Sequence, residues 1–264
     1  NNQVVNFQNI EFKSSAKNNT VVTSLDWNNN DSISLGRLSS VIDIKSSEMI
    51  FANIEEFYLY DSSVGYWNIE GNPTIKFMDD KYSMDSILLS NTNQSVILNG
   101  VIGPEVIDSL SLEIQNFQLS SLPFLLDFNN ENTTLEGILN AQINFQSLLT
   151  NPQLFNEFNI KNFNFNFFPI GDVNFHSLWE ESTGKFILNG GLVNENKYPE
   201  IKLIDCYFYP NNDKNKKLSG MIKFDSTNID FLSPFLPNNV LSNLQGLLIG
   251  DLSLSGDCFS PKFN

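Results

Sequence analysis

Leu135-Glu-Gly137-Ile-Leu139-Asn-Ala141-Gln-Ile143-Asn-Phe145-Gln146 alternates apolar and polar residues without a break. Leu135, Gly137, Leu139, Ala141, Ile143 and Phe145 fall on one side of an extended chain, and Glu136, Asn140, Gln142, Asn144 and Gln146 on the other. Strict period two over twelve residues is the signature of a β-strand with one apolar face. The same pattern returns 109 residues later, where Leu244, Gly246, Leu248, Gly250, Leu252 and Leu254 make the apolar set against Gln245, Asp251, Ser253 and Ser255. The prolines that follow, Pro152 and Pro261, keep the same spacing. Upstream, Leu119-x-x-Leu122-Pro123-Phe124-Leu125 matches Ile229-x-x-Leu232-Ser233-Pro234-Phe235-Leu236 with one residue inserted. Self-similarity of this kind marks a repeated unit that buries its apolar face against its neighbours.

Strand signals extend in both directions from this duplication. Val4–Phe12, Val21–Trp27, Ser32–Leu38, Val41–Ile44, Phe57–Tyr60 and Thr74–Met78 read as short strands, separated by Asn, Ser, Asp and Gly clusters that favour turns. Val96-Ile-Leu-Asn-Gly100 and Phe186-Ile-Leu-Asn-Gly190 are a second internal echo, placing Val96, Leu98, Phe186 and Leu188 on apolar faces. Between Phe155 and Phe175, Phe158 and Ile160 alternate with polar residues, the phase slips at Lys161-Asn162, and Phe163, Phe165 and Phe167 resume the alternation. A one-residue slip in period two predicts a β-bulge. These phenylalanines fit either the core face of a sandwich or an apolar trough. From Phe231 to Leu244 the apolar residues approach helical spacing, but Pro234 and Pro237 limit any helix to a turn or two. The fold class expected is therefore all-β, with short helical turns.

Composition removes several functions. With 264 residues and 41% hydrophobic side chains the chain can build an ordered structure. Its net charge of −15 argues against nucleic acid or an anionic lipid surface as partner, since both select clustered Lys and Arg. Cys206 and Cys258 make no disulfide framework, no apolar run is long enough for a spanning helix, and the chain reads as a segment of a longer one. The single histidine, His176, has no Gly-x-Ser-x-Gly elbow to accompany it, and there is no phosphate loop and no His or Cys pair at metal-ligand spacing. Glu55-Glu56 and Asp79-Asp80 are adjacent on an extended chain and so point apart, a poor geometry for paired acid and base. The residues support no enzyme, cofactor or metal.

The order Asn-x-x-apolar with Phe-Leu, then Leu-x-Gly, an alternating strand and x-Pro resembles the repeats of the TamB family, the translocation and assembly module subunit within the AsmA-like group, as found in Asn- and Ile-rich bacteria of the Bacteroidota type. Phe224–Leu236, Leu244-Gln-Gly246, Gly250–Gly256 and Ser260-Pro261 carry the likeness. It is good from about residue 96 to the end and looser over 1–95; the duplicated stretches fall at about 110–155 and 220–264. Ser147, where the second copy has Gly256, departs from it. The resemblance implies an elongated repeat β-groove, a β-taco or open solenoid, lying in the periplasm and anchored to the inner membrane by a region outside this segment. Such a groove is expected to conduct phospholipid between the two membranes and to work with an Omp85-type outer-membrane barrel. The groove residues would be Val96, Leu98, Leu135, Leu139, Ile143, Phe145, Phe163, Phe165, Phe167, Phe186, Leu188, Leu244, Leu248, Leu252 and Leu254. The rival is a structural or adhesin-like solenoid or sandwich whose apolar faces pack solid.

Overall fold

The computed structural model describes residues 9–28, 34–62, 64–104, 109–121, 134–147, 153–193, 199–209, 217–229, 245–257 and 260–263. Among them the chain is nearly all antiparallel β, in two compact units. One comprises residues 1–117, 124–129 and 142–153, the other 118–123, 130–141 and 154–264.

In the first unit the strands are β1 (Asn9–Lys17), β2 (Thr20–Asn28), β3 (Ser34–Ser46), β4 (Met49–Asp61), β5 (Gly65–Glu70), β6 (Thr74–Met78), β7 (Lys81–Asn91), β8 (Gln94–Ile102) and β9 (Ser109–Gln118). Each of β1 to β4 pairs with the next, so the chain meanders. β5 and β6 then share one strand position. β4 pairs through Tyr58–Asp61 with β5 and through Met49–Asn53 with β6, and both short strands pair on their far side with β7. Gly71-Asn-Pro73 interrupts that position, as expected where φ is positive at Gly71 and Pro73 has no N–H to give a ladder. The meander resumes through β7, β8 and β9.

The sequence reads Ser32–Leu38 and Val41–Ile44 as separate strands; residues 34–38 of the first and all of the second belong to the single strand β3, and residues 32–33 lie outside the described ones. Ser39-Ser40 looked like a break because Ser favours turns. In the sheet the two residues sit opposite Ser24 and Thr23, and the Thr23 and Ser40 hydroxyls hydrogen-bond at 2.7 Å, so the polar pair continues the ladder. The tight turn expected at Asp79-Asp80 is present, with φ of 51° and 60°.

In the second unit β10 (Leu135–Gln146) contributes its residues up to Ala141, followed by β11 (Gln153–Phe165), β12 (Phe168–Glu180), β13 (Lys185–Val193), β14 (Pro199–Tyr209), β15 (Lys217–Asn228), β16 (Leu247–Asp257) and β17 (Ser260–Phe263). From β11 onward every strand pairs antiparallel with the next. Leu119–Ser121 forms one 3₁₀ turn. The helical stripe expected over 231–244 lies outside the described residues, as does Leu244.

Long strands of this meander are bulged. The register shifts between Ile160 and Phe163, where Asn162 has φ of 52°, so the slip expected at Lys161-Asn162 is a bulge. Further shifts occur at Ser86 in β7, Asp205 in β14 and Ser226 in β15, with φ between 48° and 57°. Ser, Asn and Asp are the residues that tolerate this left-handed conformation with least strain, because short polar side chains bond the local backbone. Each bulge bends its strand and increases local twist while returning the apolar side chains to the same face.

Candidate functional site

Antiparallel partners send their side chains to the same side of a sheet, so register alone defines the faces. In the first unit one row runs Ala16, Val21, Ile42, Ala52, Ile75, Met84, Gly100, Leu110 across eight strands. At about 4.8 Å per strand this row is about 34 Å long. Parallel rows carry Phe12–Leu25–Leu38–Phe57 and Ile69–Leu89–Val96–Ile114. The opposite face is mostly polar, with Glu11, Asp26, Arg37, Glu56, Lys76 and Glu113 among its residues. Arg37 there forms ion pairs with Asp26 at 3.5 Å and Glu56 at 3.0 Å.

The second unit repeats the arrangement. One row is Ile160–Val173–Leu192–Ile201–Phe224–Gly250, and the next is Phe158–Phe175–Gly190–Leu203–Ile222–Leu252. Each crosses six strands, about 24 Å. On the other face Lys223 stands opposite Asp251, and Glu157 and Asn189 flank His176.

These apolar rows are not sealed. Leu25, Leu38, Ile42, Ile54, Phe57, Ile75, Leu89, Leu98 and Leu112 in the first unit are half-buried, as are Phe158, Phe175, Leu192, Leu203, Ile222 and Leu252 in the second. The apolar side chains that are fully buried among the described residues are few: Val64, Trp67, Phe117, Leu119, Ala141, Cys206 and Phe224. In a face packed against a second sheet the central positions of every row belong to that class, because sandwich cores reach the density of organic crystals. On β1, Ile10 and Phe12 are 60% and 65% exposed although both are on the apolar face.

Most of the residues expected to face the groove lie on these faces. Val96 and Leu98 belong to the first unit's apolar face. Phe186, Leu188, Leu252 and Leu254 belong to the second's, with Leu248 opposite Thr227 on the same side. Leu135 and Leu139 share the alternation of β10 with Gly137, whose position abuts Phe163 and Ile160 of β11. Ile143 and Phe145 continue that alternation in the part of β10 assigned to the first unit. Phe163 and Phe165 face Gly171 and Phe168. Phe167 is a correction. The alternation Phe163, Phe165, Phe167 ends one residue early, because Asn166-Phe167 is the hairpin turn, with φ of 50° and 64°, and Phe167 is 77% exposed. Asn166 closes the turn region onto Thr134, donating its N–H to the Thr134 carbonyl and accepting the Thr134 N–H on its side chain, both at 2.9 Å.

The glycines of the apolar face fall in two groups. A Cβ at Gly100 would lie 2.1 Å from the Ser109 carbonyl oxygen, at Gly190 2.4 Å from that of Asn174, and at Gly220 2.3 Å from the Cys206 sulfur, so these glycines admit a neighbouring strand or side chain. At Gly250 nothing stands within 4 Å, and the space above the backbone is open. Gly246 precedes β16 rather than lying within it.

Residues of β14 and β15 escaped the sequence reading. In Ile201-Lys-Leu-Ile-Asp-Cys-Tyr-Phe-Tyr209 the bulge at Asp205 moves the apolar face from Ile201 and Leu203 to Cys206 and Phe208. Tyr207 and Tyr209 mimic an equally good alternation on the wrong side, so only the slip itself could have signalled it.

Among the described residues no three His, Cys, Asp or Glu side chains converge as a metal site, and no helix is long and apolar enough to cross a membrane. His176 is exposed. No protein-family model, curated protein or solved structure matches the chain.

Proposed function

We propose that each unit is a length of lipid-conducting β-groove, in the manner of the TamB and AsmA-like proteins whose repeats the sequence resembles. The observation that carries this reading is the apolar face of each unit, continuous over six to eight strands and left incompletely buried along its interior rows. Acyl chains need an uninterrupted apolar surface. A single bilayer leaflet is about 15 Å of hydrocarbon, half the roughly 30 Å core, so either row is long enough for one extended chain. Movement along such a face is sliding among equivalent contacts and calls for no catalytic group. The bulges support the same reading, because a bulged, strongly twisted sheet curls and can partly enclose what lies on it. A periplasmic setting and an Omp85-type partner follow from the resemblance and are part of this proposal. Against an adhesin-like module with a solid core stands the incomplete burial of residues that such a core would bury fully.

The test is native mass spectrometry of the chain purified without detergent, together with exchange of labelled phospholipid from vesicles. The expected result is co-purifying diacyl phospholipid that exchanges with the labelled pool. A lipid-free protein that takes up none would refute the reading.

A further inference from the structure

On the polar face of the first unit two neighbouring rows cross β1 to β5 near one end of the strands. One is Glu11–Asp26–Arg37–Tyr58–Asn68, and the other is Asn9–Asn28–Leu35–Tyr60–Tyr66. Between them lies a cavity of about 620 Å³, a size that suits a small ligand. Asn9, Asn28 and Leu35 form one wall and Glu11, Asp26 and Tyr58 the other. Its floor is the backbone of Ile10, Trp27 and Gly36, because these three alternate with the wall residues and belong by register to the apolar face. On that far side the Trp27 ring lies over Gly36, where a Cβ would come within 2.1 Å of it.

The charges of this patch are already matched within the protein. Glu11 pairs with Lys13 at 2.8 Å, and Arg37 with Asp26 at 3.5 Å and with Glu56 at 3.0 Å. A cation entering the cavity finds both wall carboxylates paired, and an anion meets their negative charge. An apolar molecule would strip water from amides and carboxylates and return no hydrogen bond. The Asn9 side-chain amide donates to Oδ1 of Asn28 at 2.9 Å, which holds two amides side by side in one wall. Next to the cavity the Tyr58 and Tyr66 rings lie 21° from parallel with centroids 6.0 Å apart, and Tyr60 and Tyr66 are 38% and 51% exposed. Such rings offer broad apolar area together with a hydroxyl that both donates and accepts.

We infer that this cavity and the tyrosines beside it bind a neutral oligosaccharide. A pyranose matches both features. One face of the sugar ring is made of C–H groups and stacks on an aromatic ring, while each hydroxyl on its rim donates one hydrogen bond and accepts others without bringing charge. One sugar stacks on Tyr58, its hydroxyls donating to the Asp26 and Glu11 carboxylates and accepting from the Asn28 amide, and the chain continues over Tyr66. This site is on the face opposite the apolar one, so the inference goes beyond the lipid reading and does not rest on it.

The experiment titrates the isotope-labelled chain with the hexasaccharides of β-linked glucose and of β-linked N-acetylglucosamine and follows its amide signals by NMR. The expected result is saturable shifts with one or both sugars, centred on the residues of the two rows from Asn9 to Tyr66 and including the Asn28 side-chain amide. Tyr66→Ala removes an exposed ring and should weaken binding about fivefold while leaving the melting temperature within error of wild type. Tyr58→Ala should weaken it further and Tyr58→Phe should keep most of it, whereas Tyr209→Ala in the second unit should change nothing. If Tyr58→Ala does not fold, Tyr66→Ala and Tyr58→Phe decide the matter. Four results overturn the inference: neither hexasaccharide binds, the shifts centre on the apolar face or on the second unit, the folded tyrosine variants bind as wild type does, or spermidine displaces the sugar and so marks a cation site. Phospholipid content is measured on the same preparations, and its presence or absence bears on the lipid reading alone.

Discussion

Leu203→Asp separates an open apolar face from a sealed one. Leu203 lies in the middle of the second unit's sheet, between Gly190 of β13 and Ile222 of β15, and is half-buried. Full burial of a leucine contributes about 1.5–3 kcal/mol, so at this largely but incompletely buried site the loss of apolar contact costs about 1–2 kcal/mol. A carboxylate there keeps part of its hydration, and its desolvation adds on the order of 1 kcal/mol. The sum, about 2–3 kcal/mol, corresponds to a fall in melting temperature of about 5–10 °C at this chain length. Behind a second sheet the same carboxylate would be an unpaired buried charge, costing about 3–5 kcal/mol beyond the leucine contacts, enough to unfold a marginally stable unit. Thermal melting followed by circular dichroism reads the difference. Cys206→Asp supplies the sealed reference, because Cys206 on the same face is only 1% exposed and is closed over by Gly220. Ser253→Arg, on the polar face opposite Met221, supplies the neutral one, expected within about 0.5 kcal/mol of wild type. On the lipid reading Leu203→Asp also lowers bound phospholipid and Ser253→Arg does not. If Leu203→Asp unfolds the protein as thoroughly as Cys206→Asp, the face is ordinary core and the argument from exposure is wrong.

Four further outcomes follow from the geometry. Gly100→Ala drives a methyl to 2.1 Å from the Ser109 carbonyl at a φ of 140° and should cost about 2–4 kcal/mol in chemical denaturation, whereas Gly250→Ala, with a φ of 151° and open space above it, pays only the backbone strain and should cost clearly less. Phe167→Gly relieves a left-handed phenylalanine exposed in a turn, and denaturation should show it neutral or stabilising by up to about 1 kcal/mol. Glu180 accepts a hydrogen bond from Thr183 and one from Lys185, which hold its carboxyl below the ordinary value of 4.5. A depressed carboxyl stabilises the hairpin above that ordinary value and loses the contribution as pH falls through the lower folded value, so amide NMR signals of residues 180–185 should show an acid transition that Glu180→Gln abolishes. His176→Ala, at an exposed position between Glu157 and Asn189, should leave both melting temperature and phospholipid binding unchanged.

The sequence by itself determined the strand character and most of the inward set. Wherever a single phase holds, as at Val96, Leu98, Phe186, Leu188, Leu252 and Leu254, alternation is enough, because side chains of a strand have only two directions to choose between. Even the bulge at Asn162 was legible, since a slip in a two-fold pattern leaves a visible adjacent pair of polar residues. What alternation cannot convey is where a strand ends and which residues are its neighbours. Phe167 obeys the pattern and sits in a turn, because closing that hairpin needed two left-handed residues and the chain placed them at Asn166 and Phe167. Ser39-Ser40 breaks the pattern and sits in a strand, because Thr23 and Ser24 of β2 supply polar partners. In β14, Tyr207 and Tyr209 alternate with Cys206 and Phe208 and made two phases equally apolar, and the bulge at Asp205 chose between them. Only the tertiary structure decided how far the apolar face is covered, since an apolar alternating strand is the same string of residues whether a second sheet lies over it or a ligand does; exposure depends on what is packed above the face, and that is set by residues far away in the chain.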